Sequence, residues 1–349
     1  MTDIRKLLFN LDTKKLEALT TPVNRLELSL KTSLVQPQIE KHLARLKRRG
    51  IKLRPRFYLG EDWGCVSGTS NIEIGFYDAD PLLKELNREI HGWTNDTRKV
   101  DYLLRHETGH AFCYAYRLYK NKEFRNIFGV KGKFFDTYPA TDRYKPHLWS
   151  RDFVNPNRDH YAQKHPDEDF AETFGVWLSL PYNWKKVYRT RKGALTKLRF
   201  VSDIVRHYGD KPPLVPYDPA NLDVPVEAIS RTVAEILGAP LTRYRKRATG
   251  FIDPHLKKIG RYRLRSTDPG SIPLADVITA RRKFILEALV RNTKVTAAQA
   301  SFLILKMQTR SRRLNLYVPL VRMDKCLIDI VSLATTLATR FASKGSLFN

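Results

Sequence analysis

The chain has 349 residues, 42% of them hydrophobic and 28% charged, with a formal net charge of +26. Such a length buries a sizeable core, and such a hydrophobic fraction excludes wholesale disorder. We find no run of about 20 apolar residues of the kind a membrane span needs; the nearest, Cys326 to Ala338, is short and contains Asp329.

The charge is unevenly placed. Residues 185 to 349 hold 32 Lys and Arg against 12 Asp and Glu, net +20, which leaves net +6 for residues 1 to 184. A basic field of that size attracts nucleic acid or an acidic partner, and it speaks about partners rather than fold.

In chain order, Met1 to Leu19 mixes charged and apolar residues without the apolar stretch of a secretory signal, so a cytoplasmic location is expected. Cys65, Cys113 and Cys326 are far apart and odd in number, which suits reduced thiols. From Leu26 to Gly50 the apolar residues Ile39, Leu43 and Leu46 fall at helical spacing, before a basic last turn and a glycine stop. Strands are expected over Lys52 to Leu59 and Asn71 to Tyr77; the second alternates Ile72, Ile74 and Phe76 with more polar residues, as a strand with one covered face would.

Thr94, Asn95 and Asp96 offer caps for a helix reaching about Lys120, with a core face of Leu104, Thr108, Ala111, Ala115 and Leu118. Residues 121 to 164, rich in aromatics, Pro, Gly and Asn, predict an elaborated loop. A second helix follows, with Pro166 at its first position and Asp167, Glu168 and Asp169 in its first turn, stopping before Pro181. The Pro-rich stretch Lys211 to Pro225 reads as a linker. Helical patterns return at Val226 to Leu237, Asp276 to Val290, Ala297 to Gln308 and Asp324 to Ala342. Met307 and the aliphatics near it read as helix core.

The first of these two helices carries His106-Glu107-Thr108-Gly109-His110. Two imidazoles one turn apart on one face can reach a single ion, and the pattern is that of a zinc (Zn2+) site. Glu107 lies beside them, where a carboxylate takes a proton from a water attacking a carbonyl and returns it to the leaving amine. The second helix can supply a further ligand. Glu168 and Glu172, four apart, share a face with Ala171 and Gly175, small residues that allow a close approach to the first helix. One acid can bind the ion while the other orients a ligand histidine, the role assigned to Glu172. Asp169 and His165 are the rival third ligands.

The strings LRHETGH and HPDEDFAETFGVWL resemble a largely uncharacterised family of bacterial zinc-binding metallopeptidases of gluzincin type, over roughly residues 20 to 205. The glutamate, two residues, alanine, glutamate pattern is also similar to that of anthrax lethal factor and the Pro-Pro endopeptidases. The resemblance implies that Glu168 binds the zinc and that Tyr161, seven residues earlier, assists catalysis by donating to the oxyanion. It also offers the strand Asn71 to Tyr77 as a substrate-aligning edge, the alternative being an ordinary interior strand. A departure from the pattern is the gap of 57 residues between His110 and Glu168.

In the C-terminal half, basic clusters recur at Arg243 to Arg247 (RYRKR), Arg261 to Arg265 (RYRLR), Arg281 to Lys283 and Arg310 to Arg313. They read as solvated helix faces or, with interleaved tyrosine, as a nucleic-acid surface. The expectation is an α+β chain with a zincin-like catalytic domain over 1–205 and a basic, mainly helical region over 206–349. It would act as a zinc-dependent endopeptidase on a peptide or protein substrate. The alternative is a basic nucleic-acid or partner-binding protein whose zinc is structural.

Overall fold

A computed structural model describes residues 3–139, 141, 143–179, 183–261 and 270–348. The chain forms two compact units, Leu28–Ala228 and Met1–Glu27 with Ile229–Asn349. This partition differs from a division at 205/206, because the first 27 residues group with the last 121 and the first unit runs on past residue 205. Of the RYRLR cluster only Arg261 is among the described residues, and Pro181 lies outside them.

The Leu28–Ala228 unit begins with α1 (Gln36–Arg48), shorter than the expected helix because Pro37 sets its first turn. Its basic last turn meets Gly50 at φ +75°, which suits a residue without Cβ. Three short strands follow: β1 (Arg56–Gly60), β2 (Gly64–Cys65) and β3 (Asn71–Gly75). β3 lies in the middle, parallel to β1 with Arg56 opposite Asn71 and antiparallel to β2 with Cys65 opposite Ile72. It is therefore an interior strand and not an edge, and all five of its residues are buried rather than alternate ones.

α2 (Pro81–His91) leads to α3 (Thr97–Ala115), whose N-cap Asp96 accepts from the Lys99 amide. α3 ends at Ala115 rather than near Lys120 because Arg117 takes φ +50°, a left-handed conformation that stops a helix. The expected core face of α3, Leu104 to Leu118, is buried. The segment after it folds over an aromatic cluster that includes Phe124, Phe128, Phe170, Phe174 and Phe200. α4 (Pro166–Leu178) crosses α3, and α5 (Lys192–Tyr208) packs on α4. The contact between α3 and α4 is intimate: a Cβ on Gly109 would stand 2.7 Å from Cα of Ala171. Only glycine allows that spacing.

The Pro-rich stretch is no free linker. The amides of Leu214 and Val215 donate to Ala115 O, and Asn71 Nδ2 donates to the carbonyls of Asp218 (2.9 Å) and Asn221 (2.7 Å). Proline has no amide hydrogen to give, but the residues between the prolines supply both amides and carbonyls for these bonds.

The other unit is helical. Ile4 and Leu8 enter a core built by β4 (Ser271–Pro273), α6 (Leu274–Ala280), α7 (Arg282–Asn292), α8 (Ala297–Arg313), β5 (Tyr317–Pro319) and α9 (Met323–Lys344). Met307 is buried in that core. Residues Leu320–Lys344 form a helix long and apolar enough to cross a membrane by length and composition, and here Ile330, Ala334, Leu337 and Phe341 line the core. Four buried charges offset one another inside this unit. Arg310 pairs with Asp253 through two bonds, Nε to Oδ1 at 2.9 Å and an Nη to Oδ2 at 2.6 Å, and Lys306 Nζ lies 2.5 Å from Glu17.

Candidate metal centre

The site is made where α3 and α4 touch. His106 and His110 sit one turn apart on α3, and Glu168 is in the first turn of α4, where acids complement the helix dipole. His165 caps α4: its Nδ1 accepts from the Asp167 amide at 3.0 Å and its Nε2 lies 2.8 Å from Thr137 Oγ1. Because Gly109 lets α4 come so close, one Glu168 oxygen reaches both imidazoles. Oε2 stands 3.1 Å from His106 Nε2 and 3.2 Å from His110 Nε2, and the two Nε2 atoms are 3.1 Å apart.

These three atoms fit a divalent cation. Ligands bound tetrahedrally at about 2.0 to 2.1 Å stand about 3.3 Å from one another. Behind each ring is a carboxylate: His106 Nδ1 is 3.0 Å from Glu172 Oε1, and His110 Nδ1 is 2.9 Å from Asp167 Oδ1. Carboxylates there favour the tautomer with the proton on Nδ1, which turns the Nε2 lone pairs toward the Glu168 oxygen. Three converging lone pairs repel without a cation between them. His106, His110 and Glu168 form the group that could hold a metal among the described residues.

The electrostatics agree. Burial alone would lower the His106 pKa, but Glu168 and Glu172 outweigh it and lift it to about 10. Burial would raise that of Glu168, but His110 and His106 hold it well below the ordinary carboxylate range.

Further side chains fix the supports. The hydroxyl of Tyr102 donates to Glu172, and those of Tyr114 and Tyr138 (2.7 Å) donate to Asp167. Asp167, Tyr102, Tyr114 and Tyr138 were not singled out from the sequence. A signal was present for two of them, since Tyr102, His106, His110 and Tyr114 follow one another every four residues on one helix face. Asp169, a rival third ligand, points elsewhere and pairs with buried Lys197 at 2.6 Å.

Tyr161 lies at the site: its hydroxyl donates to Glu168 Oε1 at 3.0 Å, and Lys164 Nζ approaches the same hydroxyl at 3.3 Å. Glu107 is buried, and with His106 and Tyr161 it lines a cleft of about 440 Å³. Burial pushes the Glu107 carboxyl pKa up, opposed by His106 and His110 and aided by Glu168 and Asp167. The cleft thus brings a buried carboxylate and a phenol together with His106, one of the three candidate ligands.

The elements and the site together define a pair of helices whose His106, His110 and Glu168 could hold a metal ion. Residues 54–199, which contain every side chain just named, match the sequence model of a family described as "putative zinc-binding metallo-peptidase". No curated protein and no solved structure matches the chain.

Proposed function

We propose that the Leu28–Ala228 unit is a zinc-dependent peptidase that cleaves internal peptide bonds of a peptide or protein. The observation that carries this reading is the convergence of His106, His110 and Glu168 within 3.2 Å of one another, with Glu107 facing the same cleft. Zinc in such a site lowers the pKa of a water and polarises a carbonyl.

The chain supplies the rest. Glu107 takes the proton from the attacking water and delivers it to the leaving amine nitrogen, and the burial that raises its pKa makes it a stronger base for the first transfer. On substrate binding Tyr161 turns its hydroxyl hydrogen from Glu168 Oε1 toward the oxygen that becomes negative, a contribution of about a few kcal/mol. Glu172 and Asp167 keep the two rings in the binding tautomer. A purely structural zinc site would need neither Glu107 nor Tyr161 in the cleft.

The test is elemental analysis of purified wild type, His110→Ala and Glu168→Ala, followed by a peptide-library digest with Glu107→Gln as control. Near-stoichiometric zinc lost in both ligand variants, with hydrolysis lost in Glu107→Gln, is the expected result. A wild type that takes up no zinc on reconstitution would overturn the reading.

A further inference from the structure

The cleft beside Glu107 has walls that the chemistry at the metal does not require. Trp63, Tyr77, Trp93 and Tyr102 line it, together with Asp62 and Asp159. From this geometry we propose that the cleft is a subsite for the Lys or Arg side chain of a peptide substrate. The proposal rests on the peptidase reading and names the class of residue it selects.

The walls are built rather than incidental. Trp63 Nε1 donates to Asp78 Oδ2 at 2.8 Å, and Asn95 Nδ2 donates to the same oxygen at 2.7 Å, so the indole is tied to a buried carboxylate. Asp62 Oδ1 accepts from the Trp63 amide at 2.8 Å and from the Tyr77 hydroxyl at 2.5 Å, and the Asp62 amide in turn donates to Glu73. Glu73 can sit there because Gly60 has no Cβ to meet its carboxylate. Trp93 is held edge-on by Tyr77, with centroids 5.9 Å apart, and stacks on His91. Three aromatic faces are therefore fixed before any ligand arrives, which reduces the entropy lost on binding.

The charge of the cleft selects the ligand. Aromatic faces attract cations, and carboxylates at their margin add to that attraction. The cleft shows this already: Lys99 Nζ stands 4.4 Å from the Tyr102 ring centroid. Asp62 and Asp159 are exposed at the cleft and, among the described residues, enter no ion pair with Lys or Arg. Their charges exceed that of Lys99. The Tyr77 hydroxyl registers the same field, its pKa raised by burial and next by Asp62. The chain as a whole carries +26, so attraction of a cationic side chain must come from the cleft itself.

The test measures binding apart from cleavage, using full-length Glu107→Gln protein and calorimetry. The probes are N-acetylated, C-amidated peptides with a single Lys or Arg at successive positions, each compared with its norleucine or citrulline counterpart. At one position the basic peptide should bind about tenfold more tightly than its neutral counterpart. Asp62→Asn with Asp159→Asn should remove most of that difference, while Asp203→Asn, which neutralises an exposed acid outside the cleft, leaves it intact. Equal affinity for charged and neutral peptides, or a difference that survives the double substitution, would overturn the proposal. Charge-selective binding without wild-type hydrolysis would sink the peptidase reading alone, and hydrolysis without charge selection would sink the subsite alone.

Discussion

Asp167 Oδ1 lies 2.9 Å from His110 Nδ1, while Glu168, the next residue along α4, reaches Nε2 of the same ring at 3.2 Å. One helical turn thus grips both sides of one imidazole. Replacing Asp167 with Asn removes the charge that holds the ring's tautomer but keeps the side-chain shape. Metal affinity should fall by about 10- to 100-fold, and Glu172→Gln should act similarly through His106. Competition against a chelator of known affinity reads this directly, and an unchanged affinity in both variants would refute the positioning role.

Gly109 offers a test of the helix contact. An added Cβ would stand 2.7 Å from Ala171 Cα, and backbone cannot swing aside as a long side chain can. Gly109→Ala should destabilise the protein by about 1 to 3 kcal/mol, as overpacked cores do, and should weaken metal binding by drawing Glu168 from the histidines. The control is Gly64→Ala, where the added Cβ meets nothing within 4 Å. Denaturant titration should separate the two variants.

His42 should make stability depend on pH. It is buried, with Nε2 2.8 Å from Thr108 Oγ1, and burial first and then Arg45 lower its pKa to about 3. In the unfolded chain it titrates near 6.5, so between about 6.5 and 3 the unfolded state binds the extra proton. The contribution is fully present above 6.5 and is lost as pH falls through that window, on the order of 5 kcal/mol in all. Denaturation of metal-free protein at several pH values should show a slope that His42→Gln flattens.

Lys197 and Asp169 form a buried pair at 2.6 Å. Lys197→Met leaves the carboxylate without its partner and should cost about 3 to 5 kcal/mol. Adding Asp169→Asn should recover much of the loss, because the uncompensated charge is then gone. Failure of that recovery would mean that the lysine's packing against Phe153, 3.9 Å from the ring centroid, is the larger part.

The sequence made some of this site readable for physical reasons. His106 and His110 share a face because helices repeat every 3.6 residues, and Glu168 and Glu172 do so by the same rule. Asp167 was hidden because an acid in a first turn reads equally well as a partner of the helix dipole. The tyrosines behind the site were hidden among 16 of their kind. β2, only two residues long, carries no alternation to detect, and without it β3 could be read as an edge. The union of residues 1–27 with the C-terminal unit depends on contacts that no local pattern encodes, such as Arg310 with the Glu17 carbonyl and the Thr21 hydroxyl.

That last contact sets an order of events during synthesis. Glu17 leaves the ribosome 293 residues ahead of Arg310. The Leu28–Ala228 unit has its own core and can close while the chain is still growing, but Ile4, Leu8 and Glu17 have to wait, uncovered, for α8. A nascent chain halted before residue 297 would hold the candidate metal site complete while Ile4, Leu8 and Glu17 still lacked their α8 partners.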